Sequence, residues 1–389
     1  MSKLDELINK YCPEGVEYKK LDDICNTNSG EFLHQSKFKE GNYPVYNGGM
    51  KPAGYHNAYN RDLECVGMTL RGMSGYSNYI KGKFWAGNSL LVIYSKDIEE
   101  LSNKFLYFYL KSIGEQLNRE AKSQKSILSP IKICDIRNLE IPIPPIEVQN
   151  YIVGILEPLE QYTAELTAEL TARKLQYKSI LQMMMSNAPS SITIEDIMTN
   201  YVRGTGITKK EITEEGDPCI RYSELHKEQA MGIDTITTFT PAKKNGKWSD
   251  YGDLMIAGAS ETLEGLGDGK VNLYGKCRIS APIINISHKE NPLYVGYAYE
   301  FARKQMQKGA PYNVQIFNCY IDDVKKVEIP YYQKNDQKDI ANKLSILDQL
   351  TNNITQGLPK AIELSKKQYE RCLDIVMNKL TNKVEGESK

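Results

Sequence analysis

The sequence has no long apolar run and few residues of the types that build metal and redox sites. No stretch of about 18 consecutive apolar residues occurs, so we expect no membrane-spanning helix. The N-terminus, MSKLDELINK, is polar and lacks the apolar core of a signal peptide. The eight cysteines form no CxxC pair and the four histidines are isolated. We therefore expect reduced, mostly buried thiols, no metal site and a cytoplasmic protein.

Catalytic motifs are also absent from the sequence. There is no Gly-Lys-Ser/Thr phosphate loop, GxSxG, HExxH or suggestively spaced Cys/His pair. The Asn/Asp-Pro-Pro-aromatic motif of base methylation is missing, since Pro144-Pro145 follows Ile143. Formal net charge is zero, which argues against a chain that coats nucleic acid by electrostatics alone. We predict no catalytic residue and no cofactor in this chain.

The dominant feature that is present is a long internal repeat. Solenoid repeats span roughly 20–50 residues, whereas residues here recur 188 positions later. This period predicts a duplicated domain with two similar binding surfaces, whose ligand has two similar parts. The matched pairs are Asn103/Asn291, Tyr109/Tyr297, Asp135/Asp323, Glu140/Glu328, Ile141/Ile329, Pro142/Pro330, Gln149/Gln337, Ile152/Ile340, Leu156/Leu344, Leu159/Leu347 and Thr163/Thr351.

Composition and periodicity divide the chain into globular and helical segments. Short β-type runs and turn clusters predict mixed α+β domains over 1–145 and 189–332. Within them we expect a helix over Asn103–Asn118 and an exposed loop at Gly265–Gly269. Long helices are predicted over 146–188 and 333–380, because apolar residues there are spaced alternately four and three apart. Residues 381–389 are expected to fray.

The two helical segments carry matching heptad seams. Pro158 predicts a kink or interruption in the first helix, and Gly357 with Pro359 predicts a kink or split in the second. If the helices pair antiparallel, the two domains lie at opposite ends of a rod; the alternative is two ordinary bundle helices. The seams are Ile152, Leu156, Leu159, Thr163, Leu166, Leu170, Arg173, Tyr177, Ile180 and Met184, and Ile340, Leu344, Leu347, Thr351, Ile354, Leu358, Ile362, Tyr369, Leu373 and Val376.

Both halves of the chain leave their domain through the same motif. Each half exits through a Glu-Ile-Pro stretch, within Leu139–Pro145 or Val327–Pro330, before Gln149 or Gln337 opens a long helix. Further characteristic stretches are Tyr43–Gly49, Leu70–Gly75, Phe84–Ala86, Arg203-Gly204 and Gly216–Tyr222. With these motifs and this order of segments, the chain resembles the DNA-specificity (S) subunits of type I restriction–modification systems from about Gly15 to Lys379.

The resemblance implies a non-catalytic subunit in which two target recognition domains read a bipartite double-stranded DNA site. The helices would fix the spacer between the half-sites. Implied partners are two copies of an adenine methyltransferase subunit and a motor–nuclease restriction subunit, which would carry S-adenosylmethionine, ATP and Mg²⁺. The residues alone leave open a duplicated scaffold that binds proteins without touching DNA, which the neutral net charge favours. A fused methyltransferase would need several hundred more residues.

The first helix contains a candidate spacer device, the repeated tetrapeptide of Thr163–Ala172. Up to Thr163 the two helices align at the 188-residue offset, but Tyr177 matches Tyr369, a shift of four. One tetrapeptide adds ~6 Å and a net rotation of about 40° to a helix. One base pair adds ~3.4 Å and roughly 34–36° to DNA. We predict that Thr163, Leu166, Thr167 and Leu170 set the number of unread base pairs; the alternative is a plain helical filler.

Candidate DNA contacts lie in glycine-rich and lysine-rich turns of the two domains. Base readout in the major groove uses Arg, Lys, Asn or Gln side chains, whereas clustered lysines more often touch phosphates. Each candidate has the alternative of being a solvated surface residue. The predicted contacts are Arg71, Ser74, Asn78, Lys81 and Lys83 in the first domain, and Lys243, Lys244, Lys247, Ser260, Thr262 and Lys270 in the second.

Overall fold

The computed structural model describes residues 2–38, 41–124, 131–227, 229–242, 246–308, 314–353 and 355–381, without the side chains of 120–124. The chain divides into a first unit, Met1–Thr163 with Ser365–Lys389, and a second unit, Ala164–Leu364. The seam position Ile354 lies outside the described residues, as do all but the first residue of the predicted tail, 382–389.

The first unit begins with a helix that the sequence analysis did not identify. α1 (Lys3–Tyr11) starts at a capping box between Ser2 and Asp5, and it buries Leu4 and Ile8. The Asp5 carboxylate also accepts from Lys379 Nζ at 2.6 Å, and that hydrogen bond holds its pKa well below the ordinary value. The signal was a Ser-x-x-Asp start followed by apolar residues at helical spacing.

The first domain is built on a four-stranded antiparallel sheet in the order β2-β9-β6-β7. The first four residues of β9, Leu90–Ile93, are apolar and fully buried because both sheet faces are covered. Leu91 and Ile93 face a core shared with α3, and Leu90 and Val92 face a smaller cluster with Phe84. The strands are β1 (Glu17–Lys20), β2 (Cys25–Ser29), β3 (Tyr43–Tyr46), β4 (Gly54–His56), β5 (Arg61–Asp62), β6 (Cys65–Thr69), β7 (Ser77–Ile80), β8 (Lys83–Ala86), β9 (Leu90–Ser95) and β10 (Glu140–Ile143).

A two-stranded antiparallel sheet of β1 and β10, a small four-stranded sheet and three further helices complete the first domain. The order of the small sheet is β4-β3-β8-β5, with β3 and β8 parallel. The predicted helix at Asn103 is confirmed and extends further, to Gln124. The helices are α2 (Leu21–Ile24), α3 (Asn103–Gln124) and α4 (Ile133–Arg137).

The second domain repeats this topology, which confirms the duplication predicted from the sequence. Its main sheet has the order β12-β21-β17-β19-β14, and its small sheet, β15-β13-β20-β16, again contains one parallel pair. The elements are β11 (Ser190–Thr193), α6 (Ile194–Ile197), β12 (Met198–Arg203), β13 (Asp217–Ile220), α7 (Tyr222–Leu225), β14 (Gly232–Ile233), β15 (Phe239–Thr240), β16 (Trp248–Ser249), β17 (Leu254–Ala257), β18 (Ala259–Ser260), β19 (Gly269–Asn272), β20 (Cys277–Ile279), β21 (Ile283–His288), α8 (Pro292–Ala302), β22 (Phe317–Asn318), α9 (Ile321–Lys325) and β23 (Glu328–Tyr331).

A buried glutamine fastens each domain to the helix that follows it. Gln149 donates to the carbonyl of Pro144 at 2.8 Å, and Gln337 donates to the carbonyl of Tyr332 at 2.9 Å. Both side chains are fully buried. The Oε1 atom of each glutamine also accepts from the backbone amide of the residue just before the longest helix of the domain, Ser102 in the first domain and Asn291 in the second. The repeated Gln therefore marks a joint whose buried polar groups are satisfied.

The long helices are α5 (Ile146–Ser186), α10 (Lys334–Asn352) and α11 (Leu358–Thr381). The sequence predicted a kink or an interruption at Pro158; α5 continues through it without interruption, and the kink stays a prediction. The proline costs one hydrogen bond, and fully buried Ile152 and Leu156 hold the helix in the core. The predicted split around Gly357 is confirmed, because α10 ends before it and α11 begins after it.

Helix segments pair antiparallel within each unit. In the first unit, the Thr163 hydroxyl lies 2.7 Å from that of Ser365, in the first half of α11. Nearer the start of α5, the Tyr151 ring contacts Lys3 of α1, and Asp5 of α1 binds Lys379 near the end of α11. In the second unit, Tyr332 donates to the Met184 carbonyl at 2.8 Å, and Leu181 and Met185 share a core with Ala341 and Leu344. All described seam positions are buried or half-buried, so the predicted seams are confirmed.

Candidate DNA interface

The first-domain turn, Leu70–Tyr76, connects β6 to β7 and carries Arg71 at its exposed tip. Backbone hydrogen bonds hold the turn in place. The Met73 amide donates to the Gly48 carbonyl at 3.0 Å, and the Leu70 amide donates to the Ser89 carbonyl at 2.8 Å. The Ser74 hydroxyl donates to the Leu70 carbonyl at 3.0 Å. Arg71 is thus presented by a rigid turn, while Ser74 is buried and serves the turn itself.

The other first-domain candidates follow along β7 and β8. Lys81 is exposed and pairs with Glu64 at 3.2 Å. Lys83 is exposed and lies 4.8 Å from the centre of the Tyr59 ring; the hydrogen bond to Tyr59 raises the lysine's pKa. Asn78 lies within the sheet, and its amide nitrogen is buried without a hydrogen-bond partner in the described chain. The two lysines are therefore accessible to a phosphate, whereas Asn78 is half-buried with its amide nitrogen turned away from solvent.

Two of the second-domain candidates turn inward. Lys270 donates to the carbonyl of Gln229 at 2.7 Å, and burial lowers its pKa. Ser260 is buried, and its hydroxyl accepts from the Thr262 amide at 3.1 Å. Their roles as DNA contacts stay predictions, but in this structure both side chains are engaged inside the domain. Sequence alone could not distinguish them, because a lysine or serine in a glycine-rich stretch has the same pattern whether it points in or out.

The remaining second-domain candidates are exposed or undescribed. Lys247 and Thr262 are exposed, and the Thr262 hydroxyl accepts from the Gly265 amide at 3.2 Å. Lys243 and Lys244 lie outside the described residues. The nearby Gly265–Gly269 stretch was expected to be an exposed loop. It is irregular, as predicted, but Leu266 packs into the core, so the expectation of full exposure is wrong.

A charged network that sequence reasoning missed stabilises the second-domain loop, Glu261–Asp268. Arg303, just after α8, contacts Asp268 at 2.9 Å and Glu300 at 2.7 Å. Asp268 also contacts His226 Nδ1 at 2.8 Å. Burial on its own would lower the pKa of Arg303. The carboxylates of Glu300 and Asp268 have the larger effect together, so the pKa of Arg303 is raised. His226, Asp268 and Arg303 are far apart in sequence, so no local motif indicates the network.

The predicted spacer-setting residues lie on uninterrupted helix. Thr163 donates to the Leu159 carbonyl at 2.9 Å and contacts Ser365. Leu166 and Leu170 are half-buried, and Thr167 is exposed. This alternation agrees with a seam facing one side of α5, and the role of these residues in spacing stays a prediction.

The described residues hold no group of three or more His, Cys, Asp or Glu side chains placed to bind a metal ion. Their helices include none with the length and apolar character needed to cross a membrane. The paired acids Asp22-Asp23 and Asp322-Asp323 lie in the first turns of α2 and α9, as expected for helix-start carboxylates. Six of the eight cysteines are buried free thiols.

Comparison with known proteins matches both halves of the chain. The model of the type I restriction modification DNA specificity domain matches residues 13–173 and 190–364. A putative type I restriction enzyme specificity subunit of Haemophilus influenzae is 31% identical over 381 residues, covering 93% of this chain and 95% of that protein. The EcoR124I/EcoR124II specificity subunit of Escherichia coli is 26% identical over 372 residues, covering 85% of this chain and 89% of that protein.

Solved structures show the same fold. The crystal structure of a type I restriction–modification S subunit from M. genitalium superposes with a TM-score of 0.62 at 19% identity, covering 94% of this chain and 96% of that chain. The sequence matches and the duplicated topology agree with each other. The chain belongs to the family of type I restriction–modification DNA specificity subunits, and it recognises DNA sequence within such a system.

Proposed function

We propose that each domain reads one half of a bipartite DNA target and that partner subunits perform all the chemistry. The observation that carries this proposal is the topological repeat: the order of four main-sheet strands, the small sheet with its parallel strand pair and the buried glutamine joint occur in both units, and the second main sheet adds β14 at its edge. Two equivalent frames with different exposed turns suit two different half-sites. Arg71, Lys81 and Lys83 in the first domain, and Lys247 in the second, are the accessible cations that would contact bases or phosphates.

The helices would hold two methyltransferase subunits as well as set the spacer. Several large apolar side chains on α5, α10 and α11 are exposed, and exposed apolar groups suit a protein partner better than water. S-adenosylmethionine, ATP and Mg²⁺ would then be bound by the methyltransferase and restriction subunits rather than by this chain. The exposed apolar residues are Tyr162, Leu175, Met183, Ile346, Leu364 and Ile375.

The spacer role can be tested by shortening α5. Deleting Thr167–Leu170 removes one tetrapeptide, hence ~6 Å of helix and a net rotation of about 40°. We expect the number of unread base pairs between the half-sites to fall, because the two reading domains are linked through this helix. The measurement is sequencing of methylated adenines in cells that express the variant with its methyltransferase.

A length-preserving control separates spacing from helix chemistry. Thr167→Ala keeps the number of residues and the exposed position, so it should leave the methylated motif unchanged. An unaltered spacer in the deletion variant, with both half-sites still methylated, would reject the spacing role. Wild-type methylation at a single continuous motif would reject the bipartite proposal as a whole.

A further inference from the structure

Three side chains from α8 and the residues after it hold the connection between β18 and β19, and Arg303 makes the most contacts. The Tyr299 hydroxyl donates to the Gly267 carbonyl at 3.0 Å, and the Gln307 side-chain amide donates to the Glu264 carbonyl at 3.3 Å. Arg303 reaches back from the end of α8, and its side chain is only 12% exposed. Its Nη1 donates to the carbonyls of Glu264 at 2.7 Å and Leu266 at 3.1 Å. The second-domain loop is therefore fixed through its own backbone, at two positions two residues apart.

The remaining donors of Arg303 are also occupied. Nε and Nη2 bind the two oxygens of Glu300 at 2.7 and 3.2 Å, and Nη2 binds Asp268 Oδ1 at 2.9 Å. A guanidinium has five N–H donors, and five acceptors surround this one. Such a fork cannot be replaced by a lysine without loss of geometry.

His226 extends the same network to a second segment. Its Nδ1 faces Asp268 Oδ2 at 2.8 Å, and its Nε2 faces the carbonyl of Ala259 at 2.9 Å. Asp268 thus bridges Arg303 and His226, one oxygen for each. The network crosslinks the turn after α7, the end of α8, strand β18 and the C-terminal end of the second-domain loop.

The first-domain turn occupies the same topological place but has no such arginine. Both segments connect the central strand of the main sheet to its neighbour, β6 to β7 in one domain and β17, through β18, to β19 in the other. The first-domain turn is fixed by backbone contacts, with Thr69 and Ser74 as side-chain partners. The second-domain loop is longer, so it needs a side-chain anchor to keep one conformation.

We infer that Arg303 is a positioning residue for DNA specificity, with Asp268 and His226 as its supports. It holds the second-domain loop in one conformation before DNA arrives, so that the exposed side chains Glu261, Thr262 and Glu264 meet their half-site without an ordering cost. The inference rests on the proposed function, since it requires that this loop faces the DNA. Arg303 itself touches no base.

The test uses the full chain assembled with its methyltransferase subunit and a pool of duplexes randomised in both half-sites. Arg303→Met keeps the side chain's length and removes its five donors. We expect base discrimination in the half-site of the second domain to fall about tenfold or more, as expected when a reading group is displaced. Discrimination in the other half-site should stay at the wild-type level.

Two further variants separate positioning from a general structural role. Arg303→Lys restores the charge without the fork and should recover only part of the discrimination. Lys325→Met removes another cation of the same unit, one that pairs with Glu195 at 3.2 Å, and should not alter base preference. If Arg303→Met fails to fold, Asp268→Asn, which keeps the size of the side chain, decides the question with the same readout.

The outcomes are distinct. Weaker binding to all duplexes with unchanged base preference at both half-sites would overturn the inference and leave Arg303 a stabilising residue only. A wild-type assembly that selects no two-part motif would overturn the proposed function, and the inference with it. Selective relaxation of one half-site supports both.

Discussion

The two domains share a buried frame and differ in the turns that leave it. The order of four main-sheet strands, the parallel pair in the small sheet and the glutamine joint are the same in both, and the second main sheet adds β14. The equivalent turns differ in length, anchor and charge: one presents Arg71, and the other presents Glu261 and Glu264. Burial constrains the frame from all sides, whereas an exposed turn need only be anchored at its ends. A duplicated subunit can therefore keep its architecture while its two recognition surfaces diverge.

The joints between domain and helix show the same contrast on a smaller scale. Glu160 of the first unit and Asp348 of the second occupy matching positions of the repeat, and each accepts from a tyrosine hydroxyl, that of Tyr107 or Tyr297. Glu160 is neutralised by Lys111 at 2.6 Å. Asp348 is 2% exposed and instead accepts from the Met231 amide at 2.7 Å. Both units have an acidic residue at this position, but the groups that bind its carboxylate differ: a lysine in the first unit and a backbone amide in the second.

The largest loss of stability is expected from substitutions at two glycines that lie at equivalent places in the buried frames of the two domains. A Cβ on Gly30 would lie 2.0 Å from the Gly87 carbonyl oxygen, and a Cβ on Gly204 would lie 2.1 Å from that of Ser280. Gly30→Ala and Gly204→Ala should each destabilise their own unit by ~3 kcal/mol or more, because the obstacle is backbone and cannot rotate away. Gly206→Ala, with nothing within 4 Å, is the matched control.

Each unit contains one tryptophan, which allows the two effects to be measured separately. Trp85 lies in the first unit and Trp248 in the second. Urea unfolding followed by fluorescence in a Trp85→Phe background reports on the second unit, and in a Trp248→Phe background on the first. A midpoint for Gly204→Ala equal to that of Gly206→Ala would show that the close strand contact is not part of the shared frame.

A smaller and unequal effect is expected at the two acids. Asp348→Ala leaves the buried Met231 amide and Tyr297 hydroxyl without their partner, so we expect a loss of about 2–4 kcal/mol in the second unit. Glu160→Ala acts on a side chain that is 29% exposed, where water can replace the carboxylate, and should cost about 1 kcal/mol. Hydrogen exchange of α8 and α3 is the measurement. Equal losses would contradict the view that the joints differ in burial.

The smallest effect concerns two lysines on one domain. Lys247 is exposed, and replacing it with Met should lower the slope of log affinity against log salt concentration by about 1, as for the loss of one phosphate contact. Lys270→Met should leave the slope unchanged, because the ammonium is held by the Gln229 carbonyl inside the domain. Salt titrations of the assembled complex with one duplex decide the matter. A lower slope for Lys270→Met would restore that residue as a DNA contact.

Much of the architecture could be predicted from the amino-acid sequence. The 188-residue repeat and the two heptad seams predicted two similar domains and long helices, and Gly357 with Pro359 predicted the split of the second helical segment. α1 was missed because a nine-residue helix with four apolar positions reads as a polar N-terminal segment in the sequence. Only the folded structure shows that Leu4 and Ile8 are buried in the core of the first unit. Pro158 left a kink and an interruption open, and only the folded structure excluded the interruption, because tertiary packing outweighed one lost hydrogen bond.

The candidate site was less predictable than the fold. Composition pointed to the glycine-rich turns, and both turns do leave the main sheets at equivalent places. It could not tell exposed Arg71 from buried Ser74 three residues later, nor exposed Lys247 from internal Lys270. It gave no hint of Arg303, because the acceptors that surround it come from two separate segments, the second-domain loop and α8.

By itself, the sequence determined the duplication, the order of domain and helix, and the family, since each depends on patterns that recur along the chain. Tertiary structure alone decided which side chains of a turn face inward and which distant residues anchor it. The reason is physical: periodicity records which positions must avoid water, but hydrogen-bond partners depend on segments that meet only after the chain has folded.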